Sequence, residues 1–411
     1  MKTLPKLKII NDPIYGFITV PSLLAFQLIE HRYFQRLRRI SQMGFSYIVY
    51  PGAHHTRLHH ALGAMFLMQK AVQVLKSKKV AISPKEEEAL YIAILLHDIG
   101  HGPFSHAMER SIVSNVGHEE ISLLFMEALN LDFDHQLSLA IEIFKDAYPR
   151  KFFHQLVSGQ LDMDRLDYLK RDSFLTGVSE GSVNSQRLIA MLNVKNDALV
   201  VEEKGIYSIE NFIVARRLMY WQVYLHKTGV VAEQLLVRVL KRAKFLTSQG
   251  TDLPASDALG YFLKNDIQNT DFSNETLDIF SKLDDSDIIS AMKSWSGHDD
   301  FVLQTLSTML LGRNLLKVKV KSNPFGISKI NKKTREVMQK HNISEEEASY
   351  FVFTGKMENQ AYSMEKDTIN LMRKNGKIVD VAKASDQLNI EALSKSVVKY
   401  YLCYPKNNWN C

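Results

Sequence analysis

Two stretches of this chain carry apolar residues at helical spacing, and each sets a histidine on its apolar stripe. From about Thr56 the positions His60, Ala64, Leu67, Ala71 and Val74 line one face, and Leu90, Ala93, Ile94 and His97 do the same on the next helix. Both imidazoles therefore point inward from neighbouring helices. That requirement constrains the chain to a helical bundle with a polar centre. One inward histidine is ordinarily a hydrogen-bonded core residue; two that converge, the second followed by Asp98, suggest a bound cation. Adjacent helical residues diverge by about 100°, so His97 and Asp98 can grip one ion only where the helix ends. The breakers Gly100 and Gly102-Pro103 supply that end. Eight of the 14 histidines (His54, His55, His59, His60, His97, His101, His106 and His118) crowd into this part of the chain, so the chemistry is expected there.

The length of 411 residues admits about two to three domains. The sequence predicts a mainly α protein: a helical unit over residues 1–312, with short amino-terminal strands and a hairpin near 198–209, then a smaller α+β lobe over 313–411. A helix is expected from about Ser22 to Met43. Another opens at Ser83-Pro84-Lys85-Glu86, a capping box with proline at the first helical position, and closes near His97. Strands at 198–202 and 206–209 are expected to flank Lys204-Gly205 and lead into the helix carrying Arg216. Residues 255–312 read as helical. The period-two pattern Lys317-Val318-Lys319-Val320-Lys321 marks a strand, and 350–353, 378–381 and 397–403 are strand-like.

The longest apolar run, Ala89 to Leu96, is too short to span a bilayer, and Met1-Lys2-Thr3-Leu4-Pro5-Lys6 lacks an apolar signal core. The only cysteines, Cys403 and Cys411, cannot organise a disulfide framework, so a cytoplasmic, reduced protein without membrane contact is expected. A net charge of +6 mildly favours polyanionic partners, nucleotides or nucleic acid. Support for nucleic acid comes from Lys317, Lys319, Lys321, Lys329, Lys332, Lys333 and Arg335, but no aromatic residues are interleaved to stack on bases. A solvated surface is the ordinary reading of such a cluster.

Further along, Leu161 to Asp172 is a helix dense in acids, on which Asp164, Tyr168 and Asp172 form one line at i, i+4 and i+8. Arg216, Tyr220 and Tyr224 repeat that spacing and can present a cation and two phenols to a ligand. An amphipathic core helix is the bland alternative.

Taken in order, the runs Asn11-Asp12-Pro13-Ile14, Phe34-Gln35-Arg36-Leu37-Arg38, Pro51-Gly52-Ala53-His54 with Arg57 and His60-Ala61-Leu62-Gly63, Leu96-His97-Asp98-Ile99-Gly100-His101-Gly102-Pro103-Phe104-Ser105-His106, and Asp162-Met163-Asp164 with Asp167-Tyr168 resemble the HD-domain phosphohydrolase family. They are most similar to its deoxynucleoside triphosphate triphosphohydrolase branch, which includes the SAM-and-HD-domain protein and bacterial dGTPases. The resemblance covers roughly residues 8–230. It implies His60, His97, Asp98 and Asp164 as ligands of one divalent transition metal (Fe, Mn or Zn), with Mg²⁺ on the substrate triphosphate as a further cofactor.

The same resemblance brings His101 and His106 to the phosphates, with Glu109 and His118 supporting His106. Arg57, Arg165, Tyr168, Asp172, Arg216 and Tyr224 match positions that hold the triphosphate and sugar, and Gln42 and Met43 match the pair that reads the sugar. Arg165 stands where lysine is familiar and Tyr220 where histidine is. The implied activity is metal-dependent hydrolysis of a deoxynucleoside triphosphate to deoxynucleoside and triphosphate by a homo-oligomer (dimer or tetramer). The alternatives are an HD phosphatase or phosphodiesterase acting on another nucleotide, or a nucleic-acid-binding protein whose metal is structural.

Overall fold

The computed structural model describes residues 8–406 apart from 105, 110, 114, 115, 268–271 and 387, with the side chains of 106, 388, 389 and 391 also outside the description. An antiparallel hairpin of β1 (Ile9–Asp12) and β2 (Gly16–Thr19) comes first. Asp12 shapes its turn, accepting from the amides of Ile14 and Tyr15 at 2.9 and 3.0 Å.

The single helix expected from Ser22 to Met43 is broken. Helix α1 (Leu23–Glu30) stops because His31 takes an extended conformation, and its Nδ1 caps a new turn at Arg32–Gln35 that continues as a 3₁₀ turn, Arg36–Arg39. The break lets the fully buried Arg36 turn toward the loop after His97. There it donates to the carbonyls of Ile99 and His101 at 2.8 and 2.7 Å. Burial lowers its pKa to about 9, and the rings of Phe125 and Phe280 flank the guanidinium.

The centre of the bundle is built from α2 (Arg57–Ser77), α3 (Pro84–Leu96), α4 (His118–Asp132) and α5 (Met163–Thr176). Helix α3 opens with the capping box anticipated at Ser83 and Glu86. It is buried from Ala89 through Leu96, consistent with its unbroken apolar sequence. Helices α6 (Ile206–Met219) and α7 (Lys227–Ser248) complete this layer, joined by a π-helical turn at Tyr220–Tyr224.

The hairpin near residue 200 lies one strand earlier than the sequence suggested. Strand β3 (Leu192–Lys195) pairs with β4 (Ala198–Glu202), whereas Ile206 starts α6. Asn196 and Asp197 both adopt left-handed φ values (53° each), which these residues tolerate, so the two-residue turn forms there and not at Lys204-Gly205.

Strand β5 (Lys317–Lys321) follows, exposing its lysines. It pairs with β9 (Val397–Tyr404), which also pairs with β6 (Phe353–Asn359), all antiparallel. Strands β7 (Asn370–Met372) and β8 (Ile378–Asp380) extend the earlier hairpin into a four-stranded sheet ordered β3-β4-β7-β8, with β4 and β7 parallel. Segments on either side of residue 312 therefore share backbone hydrogen bonds. Gln160, just ahead of the acid-rich helix, reinforces the junction: its amide donates to the carbonyls of Ser363, Lys366 and Asp367 and accepts from the Ser363 amide. Cys403 is buried in β9, its thiol pushed up to about 12 by burial, and Cys411 lies outside the described residues. Among the described residues no helix is long and apolar enough to cross a membrane.

Candidate active site

Helices α2, α3 and α5 bring His60, His97 and Asp164 together. The Nε2 atoms of the two histidines are 3.3 Å apart, and Asp164 Oδ1 lies 3.0 Å from His60 Nε2 and 3.5 Å from His97 Nε2. Both ring tautomers are fixed from behind: His60 Nδ1 faces Asp167 Oδ2 at 2.7 Å, and His97 Nδ1 faces the Ile94 carbonyl at 2.6 Å. With each Nδ1 carrying the donated proton, two Nε2 lone pairs point at one another, and that arrangement is favourable only with a positive charge between them.

Asp98 stands at the turn after α3, its oxygens 3.6 Å from His97 Nε2 and 3.7 Å from His60 Nε2, while Oδ2 also pairs with Arg57. A transition metal with bonds of about 2.0–2.1 Å has neighbouring ligand atoms about 3.0–3.4 Å apart. The His60, His97 and Asp164 separations of 3.0, 3.3 and 3.5 Å are close to that spacing, and Asp98 stands next to them. Two imidazoles and two carboxylates suit a borderline divalent ion such as Fe, Mn or Zn. The residues present fit the metal that the resemblance implies.

Electrostatics agrees. Burial opposes protonation of His60, but Asp164 and Asp167 override it and raise the pKa to about 10. His97 is raised against its burial by Asp98 and Asp164. Asp98 stays well below the usual carboxylate range because Arg57 and the histidines outweigh its burial, and Asp164 is lowered by His60 and His97. A field that attracts two protons also attracts a dication.

The doublet is held by its backbone. Ser122 Oγ donates to the His97 carbonyl and accepts from the Gly100 amide, both at 2.9 Å. Gly100 is required there because a Cβ would lie 2.2 Å from both His118 O and Ser122 N. This close approach brings α4 against the loop, so the His101 and His118 rings meet edge to face at 3.9 Å, and His118 Nδ1 lies 3.1 Å from Glu109 Oε1. His101, Glu109 and His118 form a second cluster beside the first. His106 opens the helical turn His106–Glu109, but its side chain lies outside the described residues.

The remaining anticipated residues surround this centre. Asp172 accepts from the Tyr224 hydroxyl at 2.8 Å and lies 2.6 Å from His55 Nε2. The rings of Tyr168, Tyr224 and Tyr220 contact one another in sequence. Tyr168 is pushed well above its usual range by burial and by Tyr220, and it lies within electrostatic reach of Arg216, Arg165 and Asp164. Arg216 donates to the Ala361 carbonyl at 2.7 Å. The segment of Gln42 and Met43 is tied to the residues ahead of α2 by a backbone bridge, Ser41 to Thr56, with the Gln42 amide donating to His55 O. Buried Arg165 Nη1, Arg216 Nε and Gln42 Oε1 have no hydrogen-bond partner among the described residues.

Several residues that support this geometry receive no role from the sequence, although Asp12 and Asp167 lie in the runs that carry the resemblance. Asp167 and Arg171 are a fully buried pair behind His60, with two contacts at 2.9 and 3.0 Å, and Arg171 continues to Asp12 at 2.8 Å. Their i, i+4 spacing is visible, but it looks identical to that of a solvated pair. Asp285, far along the chain, accepts from the amides of Ser41 and Phe104 and ties the Gln42 segment to the loop after His101.

Residues 57–172 match the HD domain and residues 183–253 the HD associated region. The chain is 55% identical to a crystallised phosphohydrolase of Bacteroides thetaiotaomicron, covering 98% of this chain and 100% of that one at a TM-score of 0.94. It is 30% identical to the uncharacterized YwfO protein of Bacillus subtilis over 97% of this chain and 92% of that protein. The deoxynucleoside triphosphate triphosphohydrolase SAMHD1 homolog of Dictyostelium discoideum is 33% identical over 57% of this chain, which spans about half (49%) of that longer protein. Sequence similarity along nearly the whole chain and a shared backbone, with the His97-Asp98 doublet inside the matched segment, place this protein in the HD-domain phosphohydrolase family.

Proposed function

We propose that this phosphohydrolase hydrolyses deoxynucleoside triphosphates to deoxynucleoside and inorganic triphosphate, using one divalent transition metal. The observation that carries the proposal is the pair of adjoining clusters, a metal-spaced His60–His97–Asp164 set with Asp98 and a proton-handling His101–Glu109–His118 set, flanked by two guanidinium donors, Arg165 Nη1 and Arg216 Nε, that have no partner among the described residues. The naming of the Dictyostelium relative supports the choice of substrate.

When bound, the metal polarises a phosphoryl oxygen and lowers the pKa of water. Arg165 and Arg216 would neutralise the triphosphate with planar donors, joined by Arg57 as it shares its pairing with Asp98. Water oxygen adds to the α-phosphorus, the bond from that phosphorus to the sugar 5′ oxygen breaks, and a proton is delivered to the 5′ oxygen. His106 occupies the family position for that donor, and the same resemblance gives Glu109, which His118 Nδ1 meets at 3.1 Å, as its support. Asp172, held by His55 and Tyr224, would accept from a sugar hydroxyl, while Gln42 and Met43 pack against the sugar. Mg²⁺ on the triphosphate and assembly into a homo-oligomer belong to the same proposal through the family resemblance.

The test is incubation of purified protein with each deoxynucleoside triphosphate and Mn²⁺, with detection of inorganic triphosphate. His97→Ala and Asp98→Ala should abolish its release. Release of phosphate or pyrophosphate alone would assign another phosphate ester or bond, and full turnover by both variants would overturn the metal mechanism.

A further inference from the structure

Behind His60 runs a buried ladder of charge that ends in the amino-terminal hairpin. Asp167 receives His60 Nδ1 at 2.7 Å on one side and the fork of Arg171 on the other, and Arg171 Nη1 reaches Asp12 Oδ2 at 2.8 Å. His60, Asp167 and Arg171 are fully buried, and Asp12 is 7% exposed. Space for the pair is cut from the opposing helix at Gly63, where a Cβ would lie 2.0 Å from Asp167 Oδ1 and 2.2 Å from Arg171 Nη2. Two carboxylates and one guanidinium leave this ladder with one net negative charge, and its outlet is His60.

Asp12 has a second task, since its Oδ1 caps the Ile14 and Tyr15 amides in the hairpin turn. The Tyr15 ring packs on Phe66 of α2 at 5.0 Å, with the ammonium of Lys170 4.8 Å and the guanidinium of Arg171 5.6 Å from its centre. One carboxylate thus joins the turn of β1–β2 to the residue that fixes the His60 tautomer. If the hairpin lifts, Arg171 loses Asp12 and draws harder on Asp167, whose hold on His60 Nδ1 weakens. Outer partners of a ligating histidine set its orientation and basicity, and their loss typically lowers metal affinity about 10–100-fold.

We propose that Asp12 and Arg171 are positioning residues for the metal centre, so that docking of the amino-terminal hairpin and affinity for the divalent ion form one linked equilibrium. The inference rests on the reading of His60 as a metal ligand. Linkage is reciprocal: a hairpin that strengthens metal binding must itself be held more tightly when metal is bound.

The experiment uses the full chain and Mn²⁺ alone. Mn²⁺ dissociation constants are measured by chelator competition, with the Mn²⁺ resonance spectrum recorded, for wild type, Asp12→Asn, Arg171→Lys and His60→Gln. Asparagine at 12 keeps an oxygen for the turn amides but removes the charge facing Arg171. It should weaken Mn²⁺ binding at least about fivefold, the lower end of a measurable coupling, and alter the spectrum. In wild type, Mn²⁺ should slow amide exchange at Ile14 and Tyr15 by a similar factor. This second measurement decides the matter if the variants do not fold. An unchanged Mn²⁺ constant in a folded Asp12→Asn, or exchange at the two amides indifferent to Mn²⁺, overturns the coupling. If His60→Gln also binds Mn²⁺ like wild type, the metal-site reading fails as well. If His60→Gln alone loses it, that reading stands and only the coupling is wrong.

Discussion

Gly100→Ala tests whether catalysis depends on how closely the loop after His97-Asp98 meets helix α4. The added Cβ would lie 2.2 Å from His118 O, 2.2 Å from Ser122 N and 2.8 Å from Ile121 C, whereas ordinary contact begins at 3.4 Å. All three atoms are backbone, so no side-chain rotation relieves the clash and α4 must retreat from the loop by about 1 Å. That helix carries His118, whose ring sits 3.9 Å from His101 and whose Nδ1 lies 3.1 Å from Glu109. A displacement of about 1 Å at a catalytic group can cost on the order of 100-fold in rate, and overpacking a tight contact costs about 1–3 kcal/mol of stability. Triphosphate release by Gly100→Ala should therefore fall about 100-fold with a lowered melting temperature. Mn²⁺ binding should fall less, because His60 and Asp164 sit on other helices. Wild-type turnover combined with wild-type stability would refute the reasoning, since it would mean that the close approach is not needed to assemble the histidines.

Other substitutions probe separate contacts. Gly63→Ala drives a methyl into the Asp167–Arg171 pair; disrupting a buried pair of this kind costs about 3 kcal/mol or more, readable in urea unfolding, and wild-type stability would contradict the packing account. Tyr224→Phe removes one of the two groups holding Asp172, a loss of about 1.5–3 kcal/mol for a bond to a carboxylate. On the sugar-binding reading it should raise KM for the nucleotide more than it lowers kcat. Glu86 offers a pH test. Hydrogen bonds from Ser83, Tyr148 and Arg150 overcome its partial burial and hold its carboxyl at about 2. Because the folded pKa lies below the usual carboxylate value, its contribution to stability is present above about pH 4.5 and fades as the pH falls toward 2. Glu86→Gln should flatten that limb of the acid unfolding curve, and an unaltered limb would show that Glu86 does not shape it.

Of the proposed ligands, His60, His97 and Asp98 stood out because chemistry leaves a local mark in sequence, and Asp164 came from the family resemblance. A histidine on an apolar stripe is anomalous wherever the helix later packs, and a His-Asp doublet ending at glycine is anomalous without any partner in view. Elements written in periodicity were legible for the same reason: the capping box at Ser83 and the lysine-alternating β5 formed as their residues required, whereas the α-helix of Arg216 ends at Met219 and Tyr220–Tyr224 form a π-helical turn. The hairpin near residue 200 was misread because Lys204-Gly205 looked like a turn, although Asn196-Asp197 accepts left-handed backbone at both positions. The Ser22–Met43 helix was misread because its break serves a remote need, the delivery of Arg36 to the carbonyls of Ile99 and His101.

The layer behind the proposed ligands had no assignable role for a deeper reason, even though Asp12, Gly63 and Asp167 lie in the runs that carry the resemblance. An aspartate and an arginine four residues apart read alike whether they face water or a protein core, and only the fold decides which. Asp167 and Arg171 belong to the core because Gly63 on another helix vacates the volume they fill, and because Asp12, more than 150 residues earlier, balances the second side of the guanidinium. None of those conditions is visible within the helix itself. The proposed ligands were named from inward histidines, the His-Asp doublet and the family resemblance, whereas the groups that orient them depend on packing between distant segments. The orienting layer is therefore where relatives that keep the same ligands have room to differ in metal affinity, and substitutions at positions 12, 63, 167 and 171 are the ones expected to reveal it.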